Sequence, residues 1–311
     1  MGGEHTSSAG AAPTFACAVG PRLALGTDAG EWMLLGEVGA PESLPPTGEV
    51  SAAASDGTLL AVATWDGKLH RLEGDAWRSI DVDQPILALA YTSKGLVLAD
   101  AGGGLSLLGG TASVPIQEMA AQDPIVELAR ADDGLLAIAA GGGLVTSKWP
   151  GVEGARLTDA DTELIGRAHA LFATAGEAVI VAGAGGVGVW HGARLVATSV
   201  ELDERVRSAA VFANGSRMCF VTDAGSAYVA DQNLARVVRA RGGGSFIGAA
   251  ASADGAALAW TADGALYAIS ADGAAAKLPA ANVVLAARGN LAVHWTAAQG
   301  VKITRGVAAW A

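Results

Sequence analysis

Cysteine is nearly missing from this chain: Cys17 and Cys219 are the only two in 311 residues. They lie in apolar segments far apart in the sequence. Neither a disulfide framework nor a cysteine zinc site is available, and both thiols are expected to be buried and reduced. Positive charge is scarce as well, with 20 Lys and Arg against 31 Asp and Glu and a net charge of −11. Such a surface repels nucleic acid, which is therefore not expected as a partner. No uninterrupted apolar run reaches the length of a membrane-spanning helix. Five histidines (His5, His70, His169, His191, His294) show no metal-ligand spacing to one another or to the cysteines, so no metal or cofactor is expected. The first twelve residues carry neither a basic n-region nor an apolar stretch. The resulting expectation is a flexible leader over 1–12, one domain over 13–311, and a cytoplasmic protein.

Glycine is the residue in excess, at 43. A first set of glycine turns centres on Gly20, Gly57, Gly95, Gly134, Gly176, Gly215, Gly255 and Gly289, spaced 34 to 42 residues apart. A second set follows each of these after a short apolar run, at Gly30, Gly67, Gly103, Gly143, Gly186, Gly225, Gly264 and Gly300. The segments between turns are short, apolar or alternating, and many end in Asp-Gly, which tolerates the positive φ of tight hairpins. Each copy reads as an antiparallel meander of four strands, A to D from the inside outward. An all-strand repeat near this length is the mark of a β-propeller blade. The fold expected is an all-β propeller of four-stranded antiparallel blades, eight in number, with seven blades plus spare strands as the alternative. Strand B residues Leu59, Val62, Leu98, Ile138, Val181, Phe220, Leu258 and Val293 are predicted to be buried. Val307–Trp310 is predicted as strand D of the last copy.

Copy seven carries Ser-x-Asp-Gly-x-x-Leu-Ala at Ser252–Ala259 and copy two the shorter Ser-Asp-Gly-x-x-Leu-Ala at Ser55–Ala61, each followed by x-Asp-Gly-x-Leu at Asp263–Leu266 and Asp66–Leu69. At these residues the chain resembles the WD-repeat and YVTN-like propellers of bacteria. The resemblance implies the propeller fold and, as its usual role, binding of other macromolecules; it implies no particular activity.

A meander places its A–B and C–D turns on one side, and its B–C turns and D–A linkers on the other. Sorted this way, nineteen of the 31 carboxylates fall on the B–C/D–A side, against six basic residues. Asp28, Asp66, Asp223 and Asp263 stand in B–C turns; Asp81, Asp83, Asp161, Glu163, Asp203 and Glu204 stand in linkers. Trp65, Trp260 and Trp295 lie at or just before the B–C corner of copies two, seven and eight. Tryptophan flanked by carboxylates suits a Lys/Arg-rich segment of another protein, through hot-spot area and cation–π contact. The competing reading is that each Trp wedges between blades and that the acidic loops are merely solvated.

Catalytic signatures do not assemble. The runs Gly102–Gly104, Gly141–Gly143 and Gly242–Gly244 precede strands, whereas a phosphate loop needs a following helix. The paired carboxylates have no nucleophile or proton acceptor beside them. The function expected is a non-catalytic scaffold or sensor subunit of a larger bacterial assembly, binding a basic partner through its acidic face. Two alternatives stay open: a small-ligand or glycan-binding propeller, and a propeller-type hydrolase or oxidoreductase.

Overall fold

The computed structural model describes all residues other than 1–4, 8–14, 20–21, 28, 37–41, 110–111, 119–122, 132–133, 149–157, 161, 164, 174–178, 192–193, 198–203, 212–216, 232–233, 252–256, 264, 279–282, 289–290, 297–299 and 306–311. Among the described residues every regular element is a strand and no helix occurs.

The chain opens with β1 (His5–Ser7). Sheet one is β2 (Phe15–Val19), β3 (Arg22–Gly26), β4 (Trp32–Leu35) and β5 (Glu42–Leu44). Sheet two is β6 (Val50–Ser55), β7 (Leu60–Thr64), β8 (Lys68–Glu73) and β9 (Ala76–Asp81). Sheet three is β10 (Ile86–Thr92), β11 (Gly95–Asp100), β12 (Gly104–Gly109) and β13 (Ala112–Glu118). Sheet four is β14 (Ile125–Ala131), β15 (Gly134–Ala139), β16 (Leu144–Lys148) and β17 (Thr158–Asp159). Sheet five is β18 (Ala168–Ala173), β19 (Val179–Gly183), β20 (Gly186–His191) and β21 (Arg194–Ala197). Sheet six is β22 (Val206–Val211), β23 (Arg217–Thr222), β24 (Ala227–Asp231) and β25 (Val237–Arg239). Sheet seven is β26 (Phe246–Ala251), β27 (Ala257–Thr261), β28 (Leu266–Ile269) and β29 (Ala275–Lys277). The last sheet holds β30 (Val283–Arg288), β31 (Leu291–Thr296) and β32 (Gly300–Arg305).

All pairings are antiparallel between consecutive strands, with one exception. The outer position of the last sheet is filled by β1, with His5 opposite Ile303, Thr6 opposite Lys302 and Ser7 opposite Val301. This corrects the sequence reading, which set residues 1–12 aside as a flexible leader. Three of those residues form a strand because β32 presents an unpaired edge of backbone donors and acceptors. Val307–Trp310 lies outside the described residues. Strand D of copy one is β5, paired with β4 just before Pro45 and Pro46.

Strand B carries the packing. Its residues are apolar on both faces, and successive side chains point to opposite sides of the sheet. In β7, Leu60 and Val62 pack with Val19, Ala24, Trp32 and Leu34 of sheet one. Ala61 and Ala63, between them, pack with Ile86, Leu89, Leu96 and Leu98 of sheet three. The same division recurs in β15, where Leu135 and Ala137 face sheet three and Leu136 and Ile138 face sheet five. In β23, Phe220 faces sheet five while Cys219 and Val221 face sheet seven. Each fully buried Leu, Val or Ile contributes about 1.5–3 kcal/mol. Of the strand B residues predicted buried, Val62, Leu98, Ile138, Val181, Phe220 and Leu258 are. Leu59 is only partly buried, because β7 begins one residue later at Leu60, and the side chain of Val293 lies outside the description. Cys219 is a free, fully buried thiol, and desolvation pushes its pKa up to about 12.

The first strands of neighbouring sheets lie side by side. Ser208 Oγ of β22 accepts from Ala249 N of β26 at 3.1 Å. Glu127 of β14 accepts from Leu171 N of β18 at 2.6 Å. Both side chains stand one residue past a β-bulge at the start of their strand, a bulge that recurs as a register shift in sheets two to eight.

Candidate functional site

In sheets two to six the B–C turn is tied by a backbone hydrogen bond to the linker entering its sheet. Trp65 N donates to Glu49 O, Ala101 N to Pro85 O, Ala140 N to Pro124 O, Ala184 N to Arg167 O and Asp223 N to Arg205 O, all at 2.8–3.0 Å. The acceptor is in every case the residue just before strand A. Val82 N, in the linker leaving sheet two, donates to Gly67 O at 2.9 Å. These bonds place the B–C turns and D–A linkers on one face, as the sequence sorting required.

A threonine ends strand B in sheets two, six and seven (Thr64, Thr222 and Thr261) and directly follows it in sheet one (Thr27), and all four are buried. Thr64 Oγ1 donates to Asp66 Oδ1 at 2.5 Å, and Thr261 Oγ1 donates to Asp263 Oδ1. Each hydroxyl holds its aspartate well below the usual carboxylate pKa. Thr222 Oγ1 donates to Glu204 Oε2 of the entering linker. Sequence reasoning missed these threonines, although a recurrent Thr-x-x-Gly (Thr27–Gly30, Thr64–Gly67, Thr222–Gly225, Thr261–Gly264) was there to find. The glycine end of that motif is forced: Gly30 has φ +85°, and a Cβ there would lie 2.0 Å from Gly48 O.

The predicted site residues divide sharply. Trp65 is 48 % exposed, on the rigid tether to Glu49. Around it are the exposed Glu49, Asp66, Asp81 and Asp83. Asp81 is opposite Lys68 in register, and Lys68 Nζ lies 3.7 Å from Asp66 Oδ2. One cation thus stands among four carboxylates. The residues equivalent to Trp65 by the same backbone bond are Ala101, Ala140 and Ala184 in sheets three to five, so the fold does not demand an indole there.

Trp260 is a correction: it is 9 % exposed and sits on β27, with its ring over Gly248. Trp65 follows its threonine and lies on the turn, whereas Trp260 precedes Thr261 and lies on the strand. Trp295, which precedes Thr296, is the counterpart of Trp260, paired with Val283 and Val301; its side chain lies outside the description. Glu204 is engaged by Thr222, as above. Asp223, Asp263 and Glu163 are exposed on sheets six and seven and the linker into sheet five, apart from the Trp65 cluster. Asp28, Asp161 and Asp203 lie outside the described residues. No group of three His, Cys, Asp or Glu that could hold a metal occurs among the described residues.

The face also carries a cavity that the sequence did not reveal, of about 440 Å³, between the B–C turns of sheets four and five and the starts of β18 and β22. Its polar lining is Arg167, His169 and Arg205. Desolvation holds the imidazole of His169 below its ordinary pKa, and Nε2 donates to Val206 O at 3.3 Å.

No protein-family model matches the sequence, and no curated protein matches it. Solved structures do match in fold. A computationally designed protein, Ika8, superposes with a TM-score of 0.73 at 15% identity, over 95% of this chain and 96% of its own. BamB from Moraxella catarrhalis gives 0.65 at 11% identity, over 97% and 96%. The WD40 β-propeller domain of Doa1 gives 0.52 at 14% identity, over 84% and 95%. The chain thus has the all-β fold of WD-repeat and YVTN-like β-propellers. At these identities the likeness concerns the fold alone.

Proposed function

We propose that the chain is a single, closed, eight-bladed propeller serving as a non-catalytic scaffold or sensor subunit of a larger bacterial assembly in the cytoplasm. It grips a Lys/Arg-rich segment of a partner protein at the acidic patch around Trp65. Eight four-stranded sheets among the described residues support the blade count. Closure is supported by β1, which puts the start of the chain on the last sheet, within one short linker of sheet one. Residues 8–14 can span no more than about 25 Å.

The observation that carries the binding reading is Trp65 itself. It is the exposed indole at a turn position where three other sheets have alanine, flanked by Glu49, Asp66, Asp81 and Asp83. An indole face beside carboxylates attracts a guanidinium or ammonium, and the local field steers its approach. The test is titration of a Lys/Arg-rich peptide against the native protein and Trp65→Ala. Binding weakened about tenfold or more in the variant supports the reading. Equal affinity, or no binding by the native protein, removes it.

A further inference from the structure

We propose that the cavity between sheets four, five and six is a binding site for a small carboxylate, held by the guanidinium groups of Arg167 and Arg205. It is separate from the patch at Trp65 and selects the opposite charge.

The polarity follows from how a D–A linker runs, from the outer strand of one sheet to the inner strand of the next. Residues late in the linker lie nearest the inner strands. In the linkers entering sheets five and six those late residues are Arg167 and Arg205, immediately before β18 and β22. Glu163 stands earlier, away from the inner end. The face is acidic in sum; at this inner spot the two guanidinium groups stand with Glu204, which Thr222 engages, and with Asp223, whose charge reaches His169.

The floor is made of small residues: Ala140, Gly142 and Ala184 line it. They leave room, and the volume of about 440 Å³ is that of a small-molecule site. Arg167 Nε donates to Gly141 O at 2.9 Å, which pins the guanidinium plane. No carboxylate lies within 4 Å of Arg167 or Arg205 among the described residues. Glu127 feels the charge of Arg205, but its Oε2 is engaged by Leu171 N. The two guanidinium groups are therefore available to a ligand.

The choice of a carboxylate over a phosphate rests on the backbone. Phosphate sites draw on convergent N–H groups. Here Ala140 N, Gly142 N, Ala168 N and Ala184 N all donate to carbonyls, to Pro124, Ala139, Gly142 and Arg167 respectively. The two guanidinium forks are the charged donors facing the cavity, and a planar two-oxygen acceptor matches a guanidinium fork. His169 uses Nε2 on Val206 O, so its Nδ1 is left for a hydroxyl or amino group of the same ligand.

The test is thermal-shift and calorimetric titration of the native protein with acetate, lactate, succinate and citrate, beside inorganic phosphate at matched ionic strength. Arg205→Gln is the main variant, because no side-chain hydrogen bond of Arg205 occurs among the described residues, and its melting temperature is measured beside the native protein's to check that the fold survives. Arg207→Gln, a neighbouring cation outside the cavity lining, is the control. Saturable binding of at least one carboxylate is expected, weakened about tenfold or more by Arg205→Gln and by Arg167→Gln, and not by Arg207→Gln. The proposal is overturned if no carboxylate binds, if phosphate alone binds, or if all three variants weaken binding equally. None of these outcomes bears on the peptide titration at Trp65.

Discussion

Gly248 stands directly opposite Trp260 in the register of β26 and β27, and the indole occupies the space beside it: a Cβ at Gly248 would lie 2.3 Å from Trp260 Cζ2. The pair Gly26 and Trp32 repeats the arrangement in sheet one, with the nearest ring atom at 2.6 Å. A glycine opposite a tryptophan lets the ring lie flat over the neighbouring strand. Gly248→Ala is expected to cost about 1–3 kcal/mol by overpacking, and Trp260→Ala about 3–5 kcal/mol by leaving a cavity. Urea unfolding measures both. A Trp260→Ala protein as stable as the native one would contradict the packing role.

Thr64 and Thr261 each shift the titration of a neighbouring aspartate. Their hydroxyls lower the pKa values of Asp66 and Asp263 below the ordinary 3.8. A carboxylate depressed in the folded state stabilises above its unfolded pKa and loses that contribution as pH falls through the folded value. The double variant Thr64→Val, Thr261→Val is expected to return both aspartates toward 3.8, read by carboxyl-carbon NMR titration. Midpoints unchanged from the native protein would show that the hydroxyls are not the cause.

Glu127 works in the other direction. Burial raises its pKa above 4.5, against the lowering effects of Leu171 N–H and Arg205. Between 4.5 and the raised value the folded state keeps a proton that the unfolded state has released. Stability therefore falls as pH rises through that window. Glu127→Gln keeps an oxygen for Leu171 N–H and cannot ionise. Its melting temperature, relative to native, is expected to climb across the window and then level off. A relative melting temperature that falls with rising pH would reverse the assignment.

Removing residues 1–7 takes β1 from the last sheet and bares the edge of β32. The expected loss is about 1–3 kcal/mol, for the hydrogen bonds of a three-residue strand, with faster amide exchange in Gly300–Arg305. Unchanged exchange there would mean that β1 adds nothing to the sheet.

The repeat of glycine turns was enough to read nearly every strand, because hairpins need residues that tolerate positive φ and the strands between them have little choice of register. β1 was illegible for the opposite reason. His-Thr-Ser has no strand pattern of its own, and only the open edge of β32 makes it one. At the site, assigning loops to faces needed only the alternation of a meander. Which tryptophan is exposed turned on a single position: Trp65 after its threonine, Trp260 before it, on opposite sides of the end of strand B. Summing charge over a whole face also hid the cavity, since Arg167 and Arg205 differ from the acidic residues around them in how far along the linker they stand.

The most direct measurement is a hydrogen-exchange footprint of a bound Lys/Arg-rich peptide, taken at low and high salt. Protection is expected at residues 45–49, 65–67 and 81–85, fading as salt rises and missing in Trp65→Ala. Protection on the A–B and C–D turns instead, or a footprint indifferent to salt, would contradict recognition through the acidic patch.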